Sequence, residues 1–394
     1  MELKFTNDKE VFDYVRQYDL STITPPAELF LQYDFNYIDI SALTKKIEKD
    51  AGALVIDARS EKEFEETNIP HSVNFPLLNN DERHYTGLVY AKYNPLAAAQ
   101  LAKEYSDPKI PALNDLLKNH NAHKKEIIVH CWRGGGRSKY LAKMISDCGY
   151  KPAILIGGIK SYRNLVNSFF SEKFPYPLVE INGLTGTGKT EVLNFLKNKI
   201  PVLDIELAAR HFSSLFGHVP YKIRGYKPIV NQTAFENELF AQYITQKGKE
   251  FFKNFFVVES ESRKIGDFYI PMPVYDKIVE AKTINVTAGI ESRANRLIKD
   301  YIGDDNEGLS DMLAIFSIKE RFFRKELSNK IYEYLLNSLK AGNVLEFATV
   351  MLKNYYDIKY KDKGKTPLHT VSTDNIVSAC NEILEFLSCD TSLN

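Results

Sequence analysis

The chain has 394 residues, 44% hydrophobic and 26% charged, ordinary proportions for a globular protein of two or three domains. Lys+Arg and Asp+Glu both number 51, so net charge names no partner and excludes a wholly basic nucleic-acid module, though not a local basic face. Four cysteines without zinc spacing, an N-terminus lacking a signal peptide's apolar core, and no run of about 18–20 apolar residues predict a reducing, cytoplasmic setting without a membrane span.

Residues 1–40 carry amphipathic helical patterns around Val11, Tyr14, Val15 and Tyr18, break at Pro25-Pro26, and read as a packing extension without chemistry. Residues 41–172 read as an α/β domain. Ala53–Asp57 is a short apolar strand ending in an acid, Lys62–Glu66 begins a helical turn, and Ser72–Phe75 is another short strand. Asp57 either orients loop backbone or an arginine, or caps its strand. The strand Ile127–His130 runs into Cys131-Trp132-Arg133-Gly134-Gly135-Gly136-Arg137-Ser138, and a helical pattern (Leu141, Ala142, Ile145) follows. Three glycines let the backbone turn its N–H groups inward to hold an anion. Arg133 and Arg137 add positive charge, and the following helix points its N-terminus at the same place. Such surroundings favour a thiolate, so Cys131 reads as a nucleophile in an anion cradle. Ala153–Ile156 then runs into Gly157-Gly158. Strands alternating with helices predict a parallel sheet with its active site beyond the carboxyl ends of the strands, where Asp57 and Cys131 both fall.

Residues 173–177, with Pro175 and Pro177, read as a stiff linker, and residues 178–394 as a second domain. Its first strand, Leu178–Asn182, leads into Gly183-Leu184-Thr185-Gly186-Thr187-Gly188-Lys189-Thr190 and a helical pattern. This is G-x-x-x-x-G-K-T between strand and helix, the setting of a phosphate-binding P-loop. Lys189 would neutralise phosphate charge and the Thr190 hydroxyl could ligate Mg²⁺. Phe255–Glu259 is a second acid-ended strand that puts Glu259 in the place of a Walker B carboxylate, as a metal-binding or a structural group. Glu261 and Arg263 lie just beyond it. Thr283–Val286 is a third strand. The helix Ile290–Tyr301 carries Arg293 and Arg296, which face nucleotide or RNA or, the reading favoured for either alone, lie on a solvated face. A helical segment over about 305–356 holds Lys319, Arg321, Arg324 and Lys325, and Lys359, Lys361, Lys363 and Lys365 follow, interleaved with Tyr355, Tyr356 and Tyr360. These basic residues form a solvated surface or a phosphate-tracking patch. Residues 370–388 read as a final strand and helix.

The loop His130-Cys131-x5-Arg137-Ser138 fits two chemistries: cysteine-dependent phosphatases and the rhodanese fold, whose thiolate carries a transferable sulfur. Asp57-Ala58-Arg59 with Glu63-Phe64 looks like the rhodanese pattern, and Asn68-Ile69-Pro70-His71-Ser72 resembles that fold's G-H-I-P-G-A without its glycines. The active loop is longer than that of a simple sulfurtransferase, which suits a bulky tetrahedral anion. Over roughly residues 50–360 the chain resembles the tRNA 2-selenouridine synthase family. The resemblance rests on Asp81-Glu82-Arg83, on Cys131-Trp132-Arg133-Gly134-Gly135 with Arg137-Ser138, and on Gly157-Gly158 with Tyr162-Arg163. It continues through the P-loop, Phe235-Glu236-Asn237, Glu259-Ser260-Glu261 with Ile265-Gly266, and Tyr356-Asp357 with Tyr360. Two departures stand out. After Asp204-Ile205-Glu206, Arg210-His211-Phe212-Ser213-Ser214 stands where the family usually has N-H-R-G-S, so that motif's arginine and glycine are lost, and Ile358 replaces a proline.

The resemblance implies an α/β architecture: a rhodanese-like parallel-sheet domain, then a P-loop NTPase-like domain with a helical C-terminal portion. It implies a transferase that converts the wobble 2-thiouridine of tRNA to 2-selenouridine with selenophosphate, through an S-geranyl intermediate made from geranyl diphosphate. Cys131 would then act in selenium transfer, with Trp132 to Ser138 holding selenophosphate. Gly183, Thr185, Gly186, Thr187, Gly188, Lys189 and Thr190 would hold a diphosphate or RNA phosphate. Asp57, Glu259, Glu261 and Arg263 are supporting candidates, no tightly bound cofactor is expected, and Mg²⁺ would sit at Thr190 and Glu259. The alternatives are a rhodanese-type sulfurtransferase or a cysteine-dependent phosphatase fused to a nucleotide-binding domain.

Overall fold

The computed structural model describes residues 3–49, 52–249, 254–359 and 364–389. They divide into two compact units, Met1–Ser168 and Phe169–Asn394. Tyr360, Lys361 and Lys363 lie outside the described residues. Among the described residues no helix is long and apolar enough to cross a membrane.

The first unit is built on five strands: β1 (Asn36–Ile38), β2 (Ala53–Asp57), β3 (Val73–Asn74), β4 (Glu126–His130) and β5 (Pro152–Leu155). They pair in the order β1-β5-β4-β2-β3, all parallel. The three inner strands are nearly continuous apolar runs because helices cover both faces of the sheet. Ile56, Val129, Leu141 and Ile145 are fully buried in one layer. The register pairs Asp57 with His130, so two acid- or imidazole-bearing ends finish at the same level, beside Cys131. The N-terminal helix Asp8–Val15 packs Val11 and Val15 against Val89 and Leu101 in a satellite core. Residues 1–40 are more than an extension, because β1 adds an edge strand to the sheet. Three residues, two of them exposed, carry too little alternation to be read as a strand.

The second unit holds β6 (Leu178–Asn182), β7 (Val202–Leu203), β8 (Phe256–Glu259), β11 (Lys282–Thr287) and β12 (His369–Ser372) in the order β12-β11-β6-β8-β7, again all parallel. A small antiparallel ribbon, β9 (Lys264–Ile265) with β10 (Phe268–Tyr269), follows β8. The central β6 delivers the P-loop, and its neighbour β8 delivers Glu259. The helices Leu309–Ile318, Glu320–Leu327, Asn329–Lys340 and Val344–Met351 close on an aromatic-rich core of their own. There Phe316 stacks on Tyr332 at 4.9 Å between ring centroids, and Phe216 on Phe323 at 5.8 Å. Burying each such side chain contributes about 1.5–3 kcal/mol, which holds these helices to one another and to the residues of 212–221 and 301–302 that share their core.

Candidate functional sites

In the first unit β4 ends at His130, and the loop from Cys131 to Gly135 leads into the helix Gly136–Asp147. Cys131 is buried, Trp132 and Arg133 are exposed, and Ser138 is fully buried with its hydroxyl unpaired. The turn at Gly157-Gly158 packs on this loop so closely that a Cβ on Gly158 (φ 56°) would overlap the Cys131 carbonyl oxygen. Ile159 N donates to Cys131 O at 2.9 Å and Lys160 N to Trp132 O at 3.2 Å. With these carbonyls occupied, the loop's backbone donors are the groups an anion would meet.

Charge around the loop is partly compensated. Arg137 forks onto Glu63, Nη1 to Oε2 at 2.5 Å and Nη2 to Oε1 at 3.2 Å, and Arg83 Nε reaches the same carboxylate at 3.0 Å. Burial pushes the Glu63 carboxyl up, but Arg137 and Arg83 outweigh it and hold the group below the usual range. Burial likewise opposes the Arg137 charge, yet Glu63, followed by Cys131 and Asp57, raises its pKa. Asp57 holds an arginine, Arg59, through Nε at 3.0 Å and Nη2 at 2.6 Å, and that guanidinium also reaches Thr67 O. His130 Nε2 lies 3.7 Å from Asp57, and all three side chains are buried. Burial lowers the His130 pKa more than Asp57 raises it, which favours the neutral imidazole.

In the second unit the P-loop joins β6 to the helix Lys189–Leu196. Gly186 adopts φ 79°, and a Cβ there would press on the Arg293 carbonyl oxygen at 2.8 Å. Thr187 is buried and donates to Leu184 O at 2.8 Å. Lys189 Nζ donates to Gly183 O at 3.1 Å and Leu184 O at 3.3 Å, and lies 3.6 Å from Glu259. The Thr190 hydroxyl donates to Glu259 at 3.1 Å and lies 3.5 Å from Glu206. Carboxylate oxygens of Glu206, Glu259 and Glu261 come within 4.8 Å of one another, and all three residues are buried. Burial, then repulsion from Glu259 and Glu261, pushes Glu206 well above the carboxylate range. Burial raises Glu259 too, against the pull of Lys189. Ser213 steadies the group, N donating to Glu206 at 3.0 Å and Oγ to Glu261. These residues line a cleft of about 390 Å³ that also reaches Arg296, Tyr301, Tyr356 and Lys359.

The structure thus gathers Gly183, Thr185, Gly186, Gly188, Lys189, Thr190, Glu259 and Glu261 on one cleft. Arg263 is not among its lining; it is exposed, with its guanidinium 5.9 Å from the Tyr269 ring centroid. Glu206 is a member that sequence reasoning missed, and the available signal was an acid just past the end of a third strand, β7. Arg293 and Arg296 correct the expectation of a solvated helix face. Arg293 is buried, donates to Thr185 O at 2.8 Å and forks onto Asp357 at 3.0 and 2.5 Å. Arg296 reaches Gly186 O at 3.3 Å, Thr373 O, and Glu191 at 2.7 Å. Both arginines brace the P-loop. Of the basic cluster, Arg324 is engaged by Glu320 and Glu333, Lys359 by Glu326, and Lys365 by buried Glu180 at 2.8 Å.

The family model described as tRNA 2-selenouridine synthase AAA domain matches residues 176–388, and the rhodanese-like domain matches residues 39–165. A protein of Nitrosomonas eutropha named tRNA 2-selenouridine synthase is 34% identical over 273 residues, 67% of this chain and 66% of the relative. One of the same name from Bdellovibrio bacteriovorus is 30% identical over 262 residues, 65% and 66% of the two chains. Another from Shewanella oneidensis is 27% identical over 364 residues, 86% and 94%. The chain spans just under two thirds of the length of the first two of these relatives.

Proposed function

The chain belongs to the tRNA 2-selenouridine synthase family, and from that membership we propose that it exchanges the sulfur of a 2-thiouridine in tRNA for selenium. The donors in this reading are geranyl diphosphate and selenophosphate. In the first step the thiouridine sulfur bonds to C1 of the geranyl group while the C1–O bond breaks and diphosphate leaves. In the second, the selenium of selenophosphate bonds to C2 of the base while the C2–S bond breaks and the geranyl thiol departs, and water then cleaves the P–Se bond to release phosphate.

The observation that carries the reading is the pairing, in one chain, of a buried cysteine at an anion-type loop with a P-loop facing three buried carboxylates. Lys189 and the P-loop amides would take the diphosphate. The donor set of Glu206, Glu259, Glu261 and the Thr190 hydroxyl suits Mg²⁺, a hard cation that prefers oxygen, and the raised carboxyl pKa values mark a site short of positive charge. Bound there, the ion would supply charge neutralisation to a leaving diphosphate. In the first unit the loop around Cys131 would hold the tetrahedral selenophosphate, with Arg133 its exposed cation and Cys131 engaged directly in selenium transfer.

Mass spectrometry of tRNA nucleosides, with and without the gene, tests the class: 2-selenouridine should vanish on deletion. Returning the gene as Cys131→Ser should leave 2-selenouridine absent while S-geranyl-2-thiouridine persists. Normal selenation by that variant would overturn the role of Cys131.

A further inference from the structure

We propose that a wholly apolar cavity in the helical portion of the second unit receives the hydrocarbon tail of a prenyl diphosphate whose head lies on the P-loop. The inference rests on the reading above and gives it a site for the part of the donor that a phosphate loop cannot hold. The cavity lies among Phe216, the helix Ile290–Tyr301, Met312 and the helix Val344–Met351, and every side chain lining it is aliphatic, thioether or aromatic. Its free volume is about 30 Å³. That is room for roughly two or three carbon atoms, since about 10–15 Å³ on this measure admits one water. It therefore takes the branched end of a chain rather than the whole chain.

The occupant follows from what the cavity adjoins. Leu297, Tyr301 and Tyr356 line both the cavity and the cleft that holds Lys189 and the three carboxylates. The Tyr301 hydroxyl shares a 2.9 Å hydrogen bond with Ser214, which lines the cleft and not the cavity. The phenol thus sets its polar tip on the phosphate side and its ring on the apolar side. A ligand that spans the two spaces needs an anionic head and an apolar tail. A nucleotide does not satisfy this, because its base would leave ring nitrogens and exocyclic groups buried without partners in a cavity that offers only hydrocarbon and ring faces. A linear isoprenoid loses nothing there, and each methylene removed from water contributes about fourfold in affinity.

The test uses the full chain and two filling variants, Val344→Trp and Ala348→Leu. Val344 lies half-buried at the cavity wall and Ala348 faces it from the next turn of the same helix. The KM for geranyl diphosphate is measured in S-geranylation of a 2-thiouridine RNA, and inorganic diphosphate serves as the head-only probe. Excluding about three carbons should raise that KM about fiftyfold. It should shift preference toward the five-carbon dimethylallyl diphosphate and leave the Kd for inorganic diphosphate within about twofold of wild type. Unchanged diphosphate binding also reports that the variant is folded, and the second variant serves if the first is not. Wild-type S-geranylation with an unaltered KM in both folded variants overturns the cavity assignment and leaves the proposed reaction standing. A wild-type protein that makes no S-geranyl product and binds geranyl diphosphate no tighter than inorganic diphosphate overturns the prenyl-donor reading, and the cavity assignment with it.

Discussion

Arg293 couples the P-loop to the end of the helical portion, and the coupling can be measured. Its guanidinium makes three charge-assisted contacts, one to Thr185 O at 2.8 Å and two to Asp357 at 3.0 and 2.5 Å. The arginine side chain is 5% exposed and that of Asp357 29%. Hydrogen bonds to charged groups contribute about 1.5–3 kcal/mol each. Asp357 regains water when Arg293 is removed, which places its two bonds at the low end, whereas the Thr185 carbonyl belongs to a loop that other groups already crowd. Arg293→Ala should therefore cost about 4.5–6 kcal/mol, or roughly 9–24 °C in Tm for a unit of this size. A double-mutant cycle with Asp357→Ala, read by chemical denaturation, should return a coupling energy of about 3 kcal/mol. Inorganic diphosphate should bind Arg293→Ala about tenfold more weakly, because the carbonyl that shapes the loop at Thr185 loses its tether. Additivity within about 0.5 kcal/mol, with diphosphate affinity unchanged, would refute the claim that this arginine braces the phosphate loop.

Two further outcomes follow from the carboxylate group. Lys189→Ala should weaken diphosphate binding by one to two orders of magnitude, roughly 1.4–2.8 kcal/mol, measured by calorimetry, with the largest effect when Mg²⁺ is omitted. Glu206 and Glu259 have folded pKa values above their unfolded ones, so the folded state binds more protons over that interval and stability falls as pH rises from about 4.5 through the raised values. Without divalent cation the protein should accordingly melt at a lower temperature at pH 8 than at pH 6. Added Mg²⁺ should stabilise it more at pH 8 than at pH 6, because fewer protons compete for the carboxylates as pH rises, and Glu206→Gln should raise the metal-free Tm at pH 8 while reducing the Mg²⁺ response.

Both glycine-rich loops could be read from the sequence because their chemistry is local: a strand, a few glycines and a helix start within nine residues. The parallel α/β class was readable for the same reason, since β2, β4, β5, β6 and β8 are largely apolar runs. Short strands were not. β1 and β7 span three and two residues, too few for any period to show. Arg293 and Arg296 were misread because helical spacing reveals which residues share a face but not what that face meets. Here it meets a loop more than a hundred residues earlier. Glu206 joins Glu259 and Glu261 only once β7 is placed beside β8. The apolar cavity draws on several helices, and no single stretch carries its signature.

The contact between Gly158 and the Cys131 carbonyl has a consequence for engineering. Because the first turn of the helix Gly158–Ser171 supplies the amides that tie down Cys131 and Trp132, the cysteine loop is not a self-contained module. A transplant of residues 130–138 into another parallel-sheet scaffold would arrive without half of its walls. A lengthened or shortened loop would need a matching change at residues 157–160 before its backbone could close, so the two segments must be moved, or redesigned, as a pair.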